Sequence, residues 1–171
     1  MRAFVERTLT WLIATVVLGC GGDKEPPAQY ALGQEIPLGI ISVSVTQWAD
    51  ARGTSAPLRS LRPPEGEKPI AVFVRWRGLD EYGEFDRRTF VGAFLSDRLT
   101  LVDSDGFEYA ALTAMPKDIY QFTAQAGSGK TAPPDWVVVF WAWVDSRDYK
   151  LHIEHPDPGE GDFDVAVVEL P

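Results

Sequence analysis

Cysteine is almost missing from this chain: Cys20 is its only thiol. No intramolecular disulfide framework can therefore hold the fold, and no cysteine cluster can bind zinc. Histidine is nearly as scarce. His152 and His155 are the two present, three positions apart on a predicted strand, where their side chains point to opposite faces and one ion could not readily take both. Helical periodicity is weak throughout. The longest apolar run before the tail of the chain, Leu9 to Leu18, has ten residues, too few to span a bilayer. Positive charge is outweighed, with 16 Lys and Arg against 25 Asp and Glu for a net of -9. Removing the leader with Arg2, Arg7 and Glu6 takes away a net +1 and leaves -10. Such a surface repels phosphate backbones and anionic headgroups, which argues against a nucleic-acid partner.

What the chain does have begins with an export signal. Arg2 and Arg7 precede the apolar run, which closes on Val17-Leu18-Gly19-Cys20, a sequence that resembles the bacterial lipobox. Cys20 is then the residue that takes diacylglycerol before cleavage, and a thioether to lipid removes the hazard of a lone thiol in an exported chain. Each buried methylene adds about 0.8 kcal/mol, so two or three acyl chains hold a protein where one would not. The next residues, GGDKEPPAQ, are polar and rich in Gly and Pro, with no apolar face to bury. The expected organisation is a signal peptide over 1–19, a flexible tether over 20–31 and one folded domain over 32–171. Gly21 is not the Asp that signals inner-membrane retention, which favours the outer membrane where the cell has two.

Within the domain, strand and turn signals alternate. IISVSVTQW places Ile41, Val43 and Val45 on one face and Ser42, Ser44 and Thr46 on the other, the pattern of a strand with one wet side. Ile70 to Arg77 alternates likewise. Asp80 to Arg88 reads as a solvated, charged loop, and Thr89 to Leu95 as a short extra strand. Arg98 to Val102 and Phe107 to Leu112 form a predicted hairpin around Asp103-Ser104-Asp105-Gly106, since Asp-Gly permits the positive backbone angles of tight turns. Trp136 to Val144, Tyr149 to His155 and Phe163 to Leu170 complete the set. About seven to nine short strands with no convincing helix imply two antiparallel sheets packed face to face.

The segments GIISVSV, EGEKPIAVFVRW, LTLVDSDGFEY and DWVVVFWAW resemble the immunoglobulin-like domain of bacterial exported lipoproteins, a family known mainly as a domain of unknown function. The resemblance covers most of residues 32 to 170, with Thr89 to Asp97 standing as an insertion. It implies an all-β, immunoglobulin-like antiparallel sandwich, shared with a secreted immunoprotective antigen, and brings no catalytic residues.

Chemical motifs give little support to an enzyme. Residues 124 to 131, AQAGSGKT, match the loosest phosphate-loop pattern. Such a loop needs a helix starting at its Lys-Thr pair, and Pro133 and Pro134 push their predecessors toward extended backbone instead. No nucleotide is expected. Ser128 lacks the Gly two residues before it that a nucleophile elbow requires. Asp157, Glu160, Asp162 and Asp164 form an acidic turn that is expected to be solvated, with weak calcium binding as the alternative. Asp103 and Asp105 fail the EF-hand pattern because Leu101 and Leu112 fall where its first and last oxygen ligands belong. The strand from Trp136 is apolar on both faces. Trp141 and Trp143 would then form an aromatic patch for a protein or cell-wall sugar unless the inserted segment around Phe90 and Phe94 covers it. The sequence thus predicts a non-catalytic binding or scaffolding domain without cofactor, held to membrane lipid through Cys20.

Overall fold

The computed structural model describes residues 26–52, 62–78, 84–116, 135–157, 159 and 162–171. Cys20 and the stretch from 124 to 131 lie outside them, as does Glu160. In chain order the elements are β1 (Ala28–Tyr30), β2 (Ile36–Leu38), β3 (Ile41–Asp50), β4 (Glu67–Gly78), α1 (Glu84–Arg98), β5 (Leu99–Val102), β6 (Glu108–Pro116), β7 (Asp135–Trp143), β8 (Tyr149–Glu154) and β9 (Val165–Leu170).

Hydrogen bonding runs through nine strands in the order β1-β9-β8-β5-β6-β7-β4-β3-β2, and β6 divides them into two layers. Its first residues pair with β5, Tyr109 opposite Leu101. From Ala111 it pairs with β7 instead, with a register shift between Ala111 and Thr113. A strand that changes sheet through a bulge makes a corner. Leu112, the extra residue, is exposed, while Tyr109, Ala111 and Ala114 all pack on the core. Among the described residues the architecture is an all-β sandwich with one helix.

The core is made by strand alternation in both layers. Ile70, Val72, Val74 and Trp76 from β4 meet Trp136, Val138, Phe140 and Ala142 from β7, and the other layer contributes Leu101, Leu151, Ile153 and Val168. In β3 the simple alternation fails after Val45. A register shift between Val45 and Gln47 turns Gln47 outward and lets Trp48 pack against the core, its ring edge-on to Tyr149 at 5.8 Å. One extra residue reverses the facing of everything after it.

Three sequence expectations are corrected. Over the described part of the charged loop and extra strand predicted over 80–95, from Glu84 on, α1 stands instead, because Val91, Phe94 and Leu95 recur at the spacing of one helical face and are all buried in the main core. Arg98 closes the helix, where a cation suits the carbonyl end, and it reaches Glu154 at 3.6 Å. The tether expected to run to Ala31 is already structured at Ala28, since β1 adds to β9. That addition is parallel, so the sheets are not wholly antiparallel; the segment carries no charge and Tyr30 meets Phe163 edge-on at 5.8 Å.

The strand ends define two poles. At the first lie Ala28 beside Ala166, the β2–β3 turn, α1 and the β8–β9 connection. At the second lie the start of β4 beside the end of β7, with Glu67 opposite Trp143, and the start of β8 beside the end of β9, with Tyr149 opposite Leu170. The β5–β6 and β7–β8 turns belong to this second pole.

Candidate binding site at one pole of the sandwich

At the second pole the two layers part where β6 changes sheet, and buried polar groups occupy the corner. Asp103 is only 6% exposed. Its Oδ1 accepts the backbone N–H groups of Asp105 and Phe107, both at 3.0 Å, which shapes the β5–β6 turn. Its Oδ2 accepts the hydroxyls of Tyr109 and Ser146, both at 2.7 Å. Gly106 completes the turn with a φ of 83°, a backbone state that costs glycine little. Burial pushes the Asp103 carboxyl up, but its hydrogen bonds from Ser146, Tyr109, Phe107 and Asp105 outweigh that and hold it below the usual carboxylate value.

The same constellation holds the β7–β8 turn. Lys68 falls in the inward phase of β4, next to Ile70 and Val72, and is 7% exposed. Its Nζ donates to the carbonyls of Val144 at 3.0 Å and Ser146 at 2.8 Å. It also lies 5.7 Å from the centre of the Tyr149 ring. The Tyr149 hydroxyl donates to the Ser146 carbonyl at 2.9 Å, and burial first, then the neighbouring Tyr109 and Asp103, push its pKa well above the ordinary tyrosine value. Backbone bonds from Val144 N–H to Gly66 O at 2.9 Å and from Ser104 N–H to Arg147 O at 3.1 Å tie this turn to β4 and to the other turn. Residues from three parts of the chain thus fix its backbone.

On this braced support stand three exposed apolar side chains: Phe107 at 57%, Trp143 at 48% and Val144 at 41% exposure. Trp143 is the candidate that the aromatic strand suggested, and its ring lies against Gly66, whose added Cβ would meet it at 3.7 Å. Trp141, two residues earlier, is half-buried. The rest of that outer face is not a free patch. Val137 and Val139 are fully buried in a second apolar cluster with Ala51, Ala71, Phe73 and Met115. Phe94 points instead into the main core and stacks with Phe90 at 6.3 Å, and neither ring belongs to the cluster around these valines.

The other sequence candidates lie elsewhere. His155 is buried, edge-on to Phe163 at 5.7 Å, with Nδ1 at the backbone of Asp157. His152 is on the strand above, and burial lowers its pKa. Asp164 accepts the Gly159 N–H at 3.0 Å within the acidic turn. Among the described residues no group of three or more His, Cys, Asp or Glu converges as a metal site would require. An open groove of 680 Å³ lies beside β1, lined by Tyr30, Leu32, Lys150 and Glu169 among others, and the last two form an ion pair at 3.4 Å. Sequence reasoning missed Lys68, Tyr109, Ser146 and Tyr149. The available signal was Lys68 in the apolar phase of its strand, and an Asp two residues before Asp-Gly that can cap its own turn.

No family model matches the chain, and no curated protein matches it in sequence. Among solved structures it is similar to an uncharacterized β-sandwich protein of Clostridium difficile 630, at 10% identity over 88% of this chain and 98% of the other, with a TM-score of 0.49. It is also similar to a Bacillus subtilis protein proposed to be a lipoprotein, at 16% identity over 80% of this chain and 38% of the other, with a TM-score of 0.40. A third is the yjhA protein of Bacillus subtilis, at 12% identity over 83% and 99% of the two chains, with a TM-score of 0.35. The assignment to the β-sandwich class rests on the strand order and core described above.

Proposed function

We propose that this chain is a lipid-anchored protein of the cell envelope whose immunoglobulin-like domain binds a partner and carries out no catalysis. The observation that carries the binding part is the trio of exposed apolar side chains on two turns braced by one buried network. Such a patch is already rigid before a partner arrives, which lowers the ordering cost of association.

The immunoglobulin-like part is supported by topology. The orders β3-β4-β7-β6 and β5-β8-β9 follow the A-B-E-D and C-F-G orders of constant-type domains. Tyr149 opens the strand equivalent to F and bonds its hydroxyl to a backbone carbonyl three residues upstream, as the tyrosine corner of that fold does. Leu151, fully buried, stands where disulfide-bearing domains place a cysteine. Strands β1 and β2 and the helix are additions to that plan.

The anchor is supported by the run ending in Val17-Leu18-Gly19-Cys20. Mass spectrometry of the native protein should find a mature amino terminus at a diacylglycerol-modified Cys20, and Cys20→Ser should release the protein from the membrane fraction. An unmodified thiol, or an intact leader on a cytosolic chain, overturns the anchor. Where the cell has two membranes, Gly21 favours the outer one, which fractionating the two would read.

A second reading takes the partner to be a neutral cell-wall glycan stacked on Trp143, favoured by the exposed indole against Gly66. Unchanged tryptophan fluorescence across a glycan series would count against it.

A further inference from the structure

The charge around the exposed apolar trio says what kind of surface suits it. Glu65, Asp105, Glu108, Asp145 and Asp148 are all exposed on the segments that form this pole. Among the described residues no ion pair engages any of the five. Arg52, the nearby cation at the end of β3, is already held by Asp50 at 2.6 Å, and Lys68 is buried beneath the turn. Lys150 at the start of β8 pairs with Glu169 at 3.4 Å; among the described residues Arg62 and Arg147 are the exposed cations left on these segments, so among those residues carboxylates predominate around Phe107, Trp143 and Val144.

The position of the pole narrows the occupant further. The chain enters the sandwich at Ala28, beside Ala166, at the end opposite these turns. A domain anchored ahead of Ala28 therefore presents them away from its own membrane. An anionic lipid surface would also be repelled by the carboxylates. An apolar centre with a charged rim is the usual build of a protein interface, where the centre supplies affinity and the rim supplies orientation and partner choice.

We infer that this pole docks a cationic protein surface, an apolar anchor flanked by Lys or Arg seating against Phe107, Trp143 and Val144. The inference rests on the binding reading given above and names its site and the chemistry of the partner. The buried Asp103 network positions the two turns, so the site needs no ordering step to receive its ligand.

The test uses calorimetric titration of the whole folded chain with three amidated peptides: Lys-Lys-Leu-Leu-Lys-Lys, its Glu-for-Lys counterpart and its Ser-for-Leu counterpart. The cationic apolar peptide should bind about tenfold more tightly than either control, and more weakly as salt is raised. Trp143→Ala, at a half-exposed position, should weaken it about tenfold. Asp145→Lys together with Asp148→Lys should weaken it while leaving the fold intact by circular dichroism. Equal binding of the three peptides, or binding insensitive to both sets of variants, overturns the proposal. So does tight binding of a neutral cell-wall oligosaccharide that Trp143→Ala abolishes, or burial of the same residues in a dimer seen by sedimentation. None of these outcomes bears on Cys20, whose lipidation is read separately by mass, so the docking inference can fail while the anchor stands.

Discussion

Replacing Asp103 by Ala removes the one acceptor on which both turns of the second pole converge. Four donors lose their partner: the N–H groups of Asp105 and Phe107 at 3.0 Å and the hydroxyls of Tyr109 and Ser146 at 2.7 Å. A hydrogen bond to a charged acceptor contributes about 1.5–3 kcal/mol net, and a buried donor left unpaired costs about 1–3 kcal/mol. The four do not simply add. Asp105 and Phe107 are exposed, so water can replace the carboxylate at their N–H groups. The two hydroxyls lie 2.8 Å apart and can bond to each other once their protons are freed. The expected loss is therefore about 3–5 kcal/mol, a large part of the roughly 5–15 kcal/mol that stabilises an ordinary domain. Asp103→Asn keeps one oxygen acceptor and the shape of the side chain, and should lose about 1–2 kcal/mol. Urea unfolding at neutral pH, with unchanged slope for all three proteins, measures both. A loss under about 1 kcal/mol for the alanine variant, or equal losses for both variants, would refute the view that the carboxylate braces this pole.

Gly78→Ala should destabilise far more than Gly106→Ala in the same unfolding assay, although both have positive φ. A Cβ at Gly78 would clash with the Ile40 carbonyl oxygen, whereas one at Gly106 meets nothing within 4 Å. The pH profile should fall at both ends. Asp103 is lowered in the folded state, so its contribution is complete above the ordinary value of about 3.9 and is lost as pH drops below it. Tyr149 is raised, chiefly by burial, so its contribution is complete below about pH 10 and is lost as pH climbs beyond. Tyr149→Phe should flatten the alkaline limb, and Asp103→Asn the acid limb, when the urea midpoint is followed across pH.

Much of the sandwich was legible because strands write their facing into alternate residues. Ile70, Val72, Val74 and Trp76 read as one face and are one face of the core, and the Asp-Ser-Asp-Gly turn stands where its residues demand. The phase breaks were not legible. Nothing in the letters around Thr46 or Leu112 announces an extra residue, because a bulge is chosen by what each following side chain meets across the core: Trp48 gains Tyr149, and β6 gains a second sheet. The helix escaped for a similar reason. Only three of its described side chains, Val91, Phe94 and Leu95, are buried, too short a stripe to outweigh the strand-like letters around it. Of the candidate site, Trp143 was visible as an aromatic residue at the end of an apolar strand. Its support was not, since Lys68, Asp103 and the Ser146–Tyr149 turn are far apart in sequence and meet only through the packing of the layers.

By itself the sequence determined most of the strands, which way most of their residues face, and the net negative charge, because these depend on composition and on neighbours within a few positions. Tertiary structure alone decided that β1 extends the sheet, that β6 serves both layers, and that a lysine and a carboxylate become the buried frame of an exposed apolar platform. Those outcomes depend on contacts between residues distant in the chain, such as Ala28 with Ala166 and Lys68 with Ser146, and only the closed core brings such residues within hydrogen-bond reach.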